Sequence, residues 1–227
     1  MPAYFSDKSF KFLRALARNN SREWFDAHRA DYEAQLRQPA LRLIGDLQPD
    51  LAAVSGQFRA DPRPVGGSLF RIHRDTRFSN DKTPYKTHAG AWFFHARRRE
   101  IEAPGFYLHI EPGRSFIGAG LWHPQPETQR RVRQFIHDNP AGWKAATQAP
   151  AFRKRFSMDG ESLVRPPRGF PPDHELIADL KRKNFVASTP LDDALVLGTR
   201  LRVAIGTHFA QLGPLVDYLC AALDLEF

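Results

Sequence analysis

The side chains best suited to chemistry lie in the stretch Leu69 to Lys86, which reads LFRIHRDTRFSNDKTPYK. Five cations, Arg71, Arg74, Arg77, Lys82 and Lys86, alternate there with Asp75 and Asp81, and Ser79 and Tyr85 add hydroxyls. Arginine offers a planar fork that matches carboxylate or phosphate, and lysine adds a point charge. Cations this dense repel one another unless an anion or the two aspartates sit among them. The expectation is a site for an acidic group, bound through Arg71, Arg74, Arg77, Ser79, Lys82, Tyr85 and Lys86. Two arrangements fit the same residues. Either Arg74 pairs with Asp75 and Arg77 with Asp81, pinning a long loop, or the aspartates hold the arginines in place for a ligand.

Pro84 disfavours helix at Thr83, and Ser79, Asn80 and Asp81 favour local turns, so residues 76–85 read as an ordered loop. Around it, from Val65 to Trp122, the apolar period is two, the signature of strands. Phe70 and Ile72 oppose Arg71 and His73 on an opening strand from Leu69 to Ile72. Phe106, Leu108 and Ile110 face one way, while Tyr107, His109 and Glu111 face the other. Residues 91–96 and 115–122 make two further strands, with Pro112-Gly113 as a turn. If the polar face lies beneath the loop, Arg71, His73, Tyr107, His109 and Glu111 line its floor, and Tyr107 joins the ligand contacts. His109, Asp75 and Asp81 are then the candidate catalytic groups, His109 as an acid or base oriented by a neighbour. A histidine satisfied by structural partners is the competing reading. His109 and Glu111 also reach one metal ion from a shared face, but two ligands fall short of a site, so no metal is expected. Which cofactor, if any, the site uses is left open by these residues.

The flanks read as helices. Ser6 caps a first helix with the stripe Phe10, Leu13, Leu16 and Ala17, and Asn20 with Glu23 resembles a capping box for the next. Trp24, Phe25, His28 and Tyr32 mark the buried side of that second helix, and Pro39 opens a third that runs to Gly56. After the sheet, Pro126 opens a helix with Val132, Phe135 and Ile136 inside. Trp143, Phe152 and Phe156 anchor short helical turns, Asp173 caps a helix through Leu180, and 185–189 is one more strand. Residues 199–223 form two helices, or one bent at Gly213-Pro214. The fold class is α+β in one domain over 1–227: helices at 6–56, an antiparallel sheet at 65–123, and helices at 126–223. The N- and C-terminal helices pack on one face of the sheet.

The string F-R-I-x-R-D-x-R-F-S-x-D-K-x-P-Y-K, Phe70 to Lys86, resembles the hallmark of the conserved hypothetical family DUF2461. Asn19-Asn20-Ser21-Arg22-Glu23-Trp24-Phe25 and Pro214-Leu215-Val216-Asp217-Tyr218-Leu219 match it too, so the likeness spans nearly the whole chain. It implies an intact single-domain member and carries no activity with it. His73 occupies the slot of the string that varies.

Composition narrows the classes. In 227 residues there are 18 Phe and 4 Trp, ample for a core, and one cysteine, Cys220, which excludes an internal disulfide framework. Cys220 lies in an apolar run, as a buried inert thiol does. The opening MPAYFSDKSF lacks the apolar core of an export signal, so a cytoplasmic protein with no membrane partner is expected. Walker, zincin, paired-cysteine and nucleophile-elbow motifs are all missing, and Gly66-Gly67 is a turn, not a phosphate loop. The net charge of +8 suits an acidic partner. An acidic small molecule, with or without catalysis, is the first reading. A nucleic-acid-associated basic module is the second, and a scaffold domain whose charged loop is purely structural is the third.

Overall fold

The computed structural model describes residues 2–227. Ser6 stands before α1 (Asp7–Arg18), where Phe10, Leu13 and Leu16 form the expected buried stripe; Ala17 is exposed and Phe12 is buried in its stead. α2 (Arg22–Ala27) and α3 (Arg29–Tyr32) bury Phe25 and Tyr32, with the Trp24 and His28 rings stacked 4.0 Å apart at their edge. A π-helical turn, Glu33–Arg37, then leads straight into α4 (Gln38–Val54). Pro39 lies in the first turn of α4, as expected, although the backbone enters that helix from the π-turn without a break. Its ring would meet the carbonyl of Gln35, four residues back, and the wider π-turn is the device that accommodates such a clash.

Six strands form one antiparallel sheet in the order β1-β2-β3-β4-β6-β5. They are β1 (Phe58–Arg59), β2 (Ala89–His95), β3 (Gly105–Ile110), β4 (Phe116–Leu121), β5 (Ser157–Asp159) and β6 (Phe185–Pro190). The sheet thus draws strands from both sides of 65–123. Alternation sorts the two faces as the sequence suggests. Phe93, Phe106, Leu108, Ile117, Ala119, Phe185 and Ala187 point inward, and Phe93 and Phe106 meet Phe209 at ring distances of 4.9 and 5.0 Å. Each of the Phe, Leu and Ile side chains among them contributes about 1.5–3 kcal/mol by leaving water. The other face carries Trp92, Tyr107, His109, Phe116 and Ser188, all half-buried.

α5 (Pro126–Asp138), α6 (Pro140–Thr147) and α7 (Pro150–Arg155) each begin on a proline in the first turn, where no donor is lost. The helix expected after Asp173 is only α8 (Ile177–Leu180). Asp173 does not cap it; the chain first turns through His174, whose Nδ1 accepts from the Leu176 N–H at 3.0 Å. After α9 (Asp193–Val196), α10 (Leu201–Ala221) runs unbroken through Gly213-Pro214 and lies across β4. One buried apolar cluster joins the N-terminal helices, the sheet and α10.

Leu69 to Ile72 is not a regular strand. Leu69 bridges Ala91, and the Phe70 N–H donates to the Gly90 carbonyl at 2.9 Å. The chain then leaves β2 and pairs with its own return limb, through Arg74 N–H to Pro84 O (2.9 Å) and Lys86 N–H to Ile72 O (2.8 Å). That bend separates Phe70 from Ile72. Ile72 is buried, whereas Phe70 is 42 % exposed on the open side of the sheet.

Candidate functional site

Residues 74–83 close on themselves. Arg77 grips Asp75 with two guanidinium bonds, Nε at 2.9 Å and Nη2 at 2.7 Å, and Arg74 donates to both Asp81 and Thr83. The pairing is crossed relative to the expected Arg74–Asp75 and Arg77–Asp81. Asp75 and Asp81 each accept the backbone N–H two residues on, at Arg77 and Thr83, so each turn delivers its carboxylate to a different arginine. Lys82 Nζ donates to the Thr76 carbonyl at 2.9 Å, and Ser79 turns back on Thr76 as well. Asp75 is held down at about 2 by the Arg77 guanidinium. Asp81 is held at about 2 by the Thr83 N–H and then by Arg74. Both carboxylates are thus engaged as ion-pair partners, Asp75 by Arg77 and Asp81 by Arg74.

Tyr85 is no surface contact. It is 4 % exposed, its ring stacks on Phe25 at 4.1 Å, and burial raises its hydroxyl pKa. Asn20 clamps its backbone from both sides, Nδ2 donating to the Tyr85 carbonyl at 2.9 Å and Oδ1 accepting from the Tyr85 N–H at 3.0 Å. The cap of α2 is Ser21, whose Oγ accepts from the Trp24 N–H at 3.2 Å, and not Asn20. The strings 19–25 and 70–86, both of which carry the family likeness, are therefore joined through this clamp.

Lys86 follows directly and emerges beside the sheet. Its Nζ donates to the Arg71 carbonyl at 2.7 Å and lies 5.5 Å from the centre of the Phe70 ring. Burial, then the Arg71 charge, lowers its pKa. The Arg71 guanidinium itself has no hydrogen bond or ion pair among the described residues.

On the open face beside them, Tyr107, His109 and Glu111 form a line along β3. Tyr107 Oη stands 3.2 Å from His109 Nδ1, and His109 Nε2 stands 3.2 Å from Glu111 Oε2. Thr87 Oγ1 donates to Glu111 Oε1 at 3.3 Å. The Phe116 ring stacks on His109 at 4.8 Å, and the His88 ring lies 4.2 Å from it on the other side. Phe70 lies 6.0 Å from Tyr107 and so connects the cations to the line. Burial lowers the His109 pKa against the pull of Glu111, and raises Tyr107 to about 12. His88 is pushed down to about 4, by burial first and then by His109. His88, Phe70 as an exposed ring, Phe116 and Asn20 are the contributors missed from the sequence. Of these only Phe116 had a local signal, since a turn centred on Pro112-Gly113 places it opposite His109.

His88 has a consequence for stability. An unfolded histidine takes its proton near pH 6.5, and folded His88 resists it until about 4. Its contribution is complete above pH 6.5 and is lost as pH falls from there toward 4, because only the unfolded chain gains the proton in that window. His109 and His208, both lowered by burial, act in the same direction. Allowing for partial exposure, His88 accounts for about 2 kcal/mol. The expected result is a melting temperature that falls between pH 6.5 and 4.5 and falls less steeply in His88→Gln. Parallel curves for the two proteins count against the assignment.

Structurally this is an α+β domain with an open, aromatic sheet face flanked by a self-paired cationic loop. The chain belongs to the conserved hypothetical protein family DUF2461, whose model matches residues 8–218. A comparison with curated proteins finds no match. Among the described residues no helix is long and apolar enough to cross a membrane, and no cluster of ligating side chains could hold a metal ion.

Proposed function

We propose that the chain is a single-domain binding protein for a small acidic molecule, a phosphate or carboxylate, taken up where Arg71 and Lys86 meet the open sheet face. One observation carries this reading. Arg74 and Arg77 each hold a carboxylate, whereas neither Arg71 nor Lys86 has one within ion-pair distance among the described residues. Two neighbouring cations without an ion-pair partner, one of them partly desolvated, favour an anion between them. Arg74, Arg77, Ser79 and Lys82 then shape the loop and do not contact the ligand.

A nucleic-acid partner has less behind it. Arg97, Arg130, Arg131 and Lys183 each pair with an acid, which breaks up the surface charge. The lone cysteine is buried and free, and the absence of disulfides suits a cytoplasmic setting.

Titration with inorganic phosphate, followed by amide and side-chain NMR shifts, tests the proposal. Saturable shifts are expected at Arg71, Lys86 and His88. Lys86→Met should weaken binding about tenfold or more, the worth of one charge-assisted bond. A linear response, the same in both proteins, sinks it.

A further inference from the structure

We infer that Tyr107, His109 and Glu111 form a proton relay whose working end is the Tyr107 hydroxyl, serving a planar, conjugated acid that lies across Phe70 with its anionic group on Arg71 and Lys86. This deepens the anion-site reading above and rests on it.

The direction of the relay follows from hydrogen-bond chemistry. A carboxylate only accepts, so Glu111 Oε2 requires the proton of His109 on Nε2. That leaves a lone pair on Nδ1, which faces Tyr107 Oη at 3.2 Å. The phenol, kept protonated by burial, is then the donor. Thr87 steadies the far oxygen of Glu111, and Phe116 holds the imidazole plane by stacking. A half-buried histidine whose two nitrogens are engaged by an acid and a phenol is built as a proton-transfer unit is built, with base and orienter in series.

The ligand class follows from what lies between the two ends. Phe70 is an exposed large apolar side chain held in place by backbone bonds to β2. Its ring is 5.5 Å from Lys86 Nζ and 6.0 Å from the Tyr107 ring, so it neighbours both groups that the ligand is to touch. A flat body stacks there. Conjugation gives the flat body a role. When the substrate's X–H bond breaks, the proton passes to Tyr107 Oη, the phenolic proton passes to His109 Nδ1, and the imidazolium is held by Glu111. The electron pair stays on the substrate and spreads toward the end held by Arg71 and Lys86. Return of the proton to another atom of the same molecule completes an isomerisation without any co-reactant.

Two measurements decide it. In the free protein, imidazole nitrogen NMR should show His109 neutral at pH 7 with its proton on Nε2. Tyr107→Phe should shift the Nδ1 resonance while leaving the tautomer alone. A proton on Nδ1, or an Nδ1 signal indifferent to Tyr107→Phe, overturns the relay. The second measurement compares 4-hydroxybenzoate with benzoate and inorganic phosphate by titration calorimetry. We expect the hydroxyl to strengthen binding about tenfold over benzoate, a preference lost in Tyr107→Phe but retained in the weaker-binding Lys86→Met. Equal affinity for the two aromatic acids removes Tyr107 from the site while the anion reading stands. Phosphate binding with neither aromatic acid bound overturns the planar substrate alone. No binding of any of the three by the wild-type protein takes both down.

Discussion

Gly120→Ala is expected to lower stability by about 4 kcal/mol or more, enough to leave little folded protein. Two independent costs meet at this position. Gly120 sits in β4 at φ +129°, where side-chain-bearing residues are strained, and an added Cβ would lie 2.0 Å from the Phe185 carbonyl oxygen. That oxygen belongs to β6, the neighbouring strand, and is backbone, so it cannot swing aside as a side chain would. Gly113 supplies the control. It also has positive φ, +74°, but an added Cβ there meets nothing within 4 Å. Gly113→Ala isolates the conformational cost, about 1 kcal/mol. Urea denaturation of the two variants should separate them by about 3 kcal/mol or more. Similar midpoints would mean that β4 and β6 do not approach as described.

Much of the sheet was readable because hairpins with short turns leave few registers. The pairing of Phe106 with Ala119 and of His109 with Phe116 follows from counting outward from Pro112-Gly113, and the alternation then assigns each side chain to a face. β1 and β5 were not readable, since two or three residues carry no period. Nor was the departure of the chain from β2 after Phe70. Period two extends through Ile72 in the sequence, but the backbone partners change from β2 to the return limb 84–86, and tertiary pairing overrides the pattern.

The site divides along the same line. Tyr107, His109 and Glu111 share a face by simple parity, so their common side was visible. Their contact with His88 was not, because the nine-residue connection 96–104 between β2 and β3 leaves the register open. The arginine loop shows the opposite failure. Composition located the charge correctly, yet which acid each arginine takes depends on two Asx-type turns that residue counting does not resolve. Charge density marked this stretch, and the two cations in it that the proposed site uses, Arg71 and Lys86, flank the self-paired loop.

Asn20→Ala is expected to cost about 3 kcal/mol and to weaken anion binding in whatever protein remains folded. The amide joins segments 65 residues apart by donating to the Tyr85 carbonyl and accepting from the Tyr85 N–H. Alanine leaves both groups of a buried residue without a partner, at about 1–3 kcal/mol each. The Tyr85 ring remains stacked on Phe25 and limits the damage. Lys86 is the next residue, positioned by its own N–H on Ile72 O, so loosening Tyr85 frees the ammonium that the proposed site depends on. Asn20→Asp makes the decisive comparison. It keeps the shape and the acceptor but replaces the donor with an oxygen facing a carbonyl oxygen, so it should be at least as destabilising as alanine near neutral pH. Lowering the pH far enough to protonate the new carboxylate restores a donor and should recover part of the loss relative to Asn20→Ala. An Asn20→Asp protein as stable as the wild type at pH 7 would show that packing alone joins these two segments. The positioning of Lys86 would then have to come from the limb 72–74.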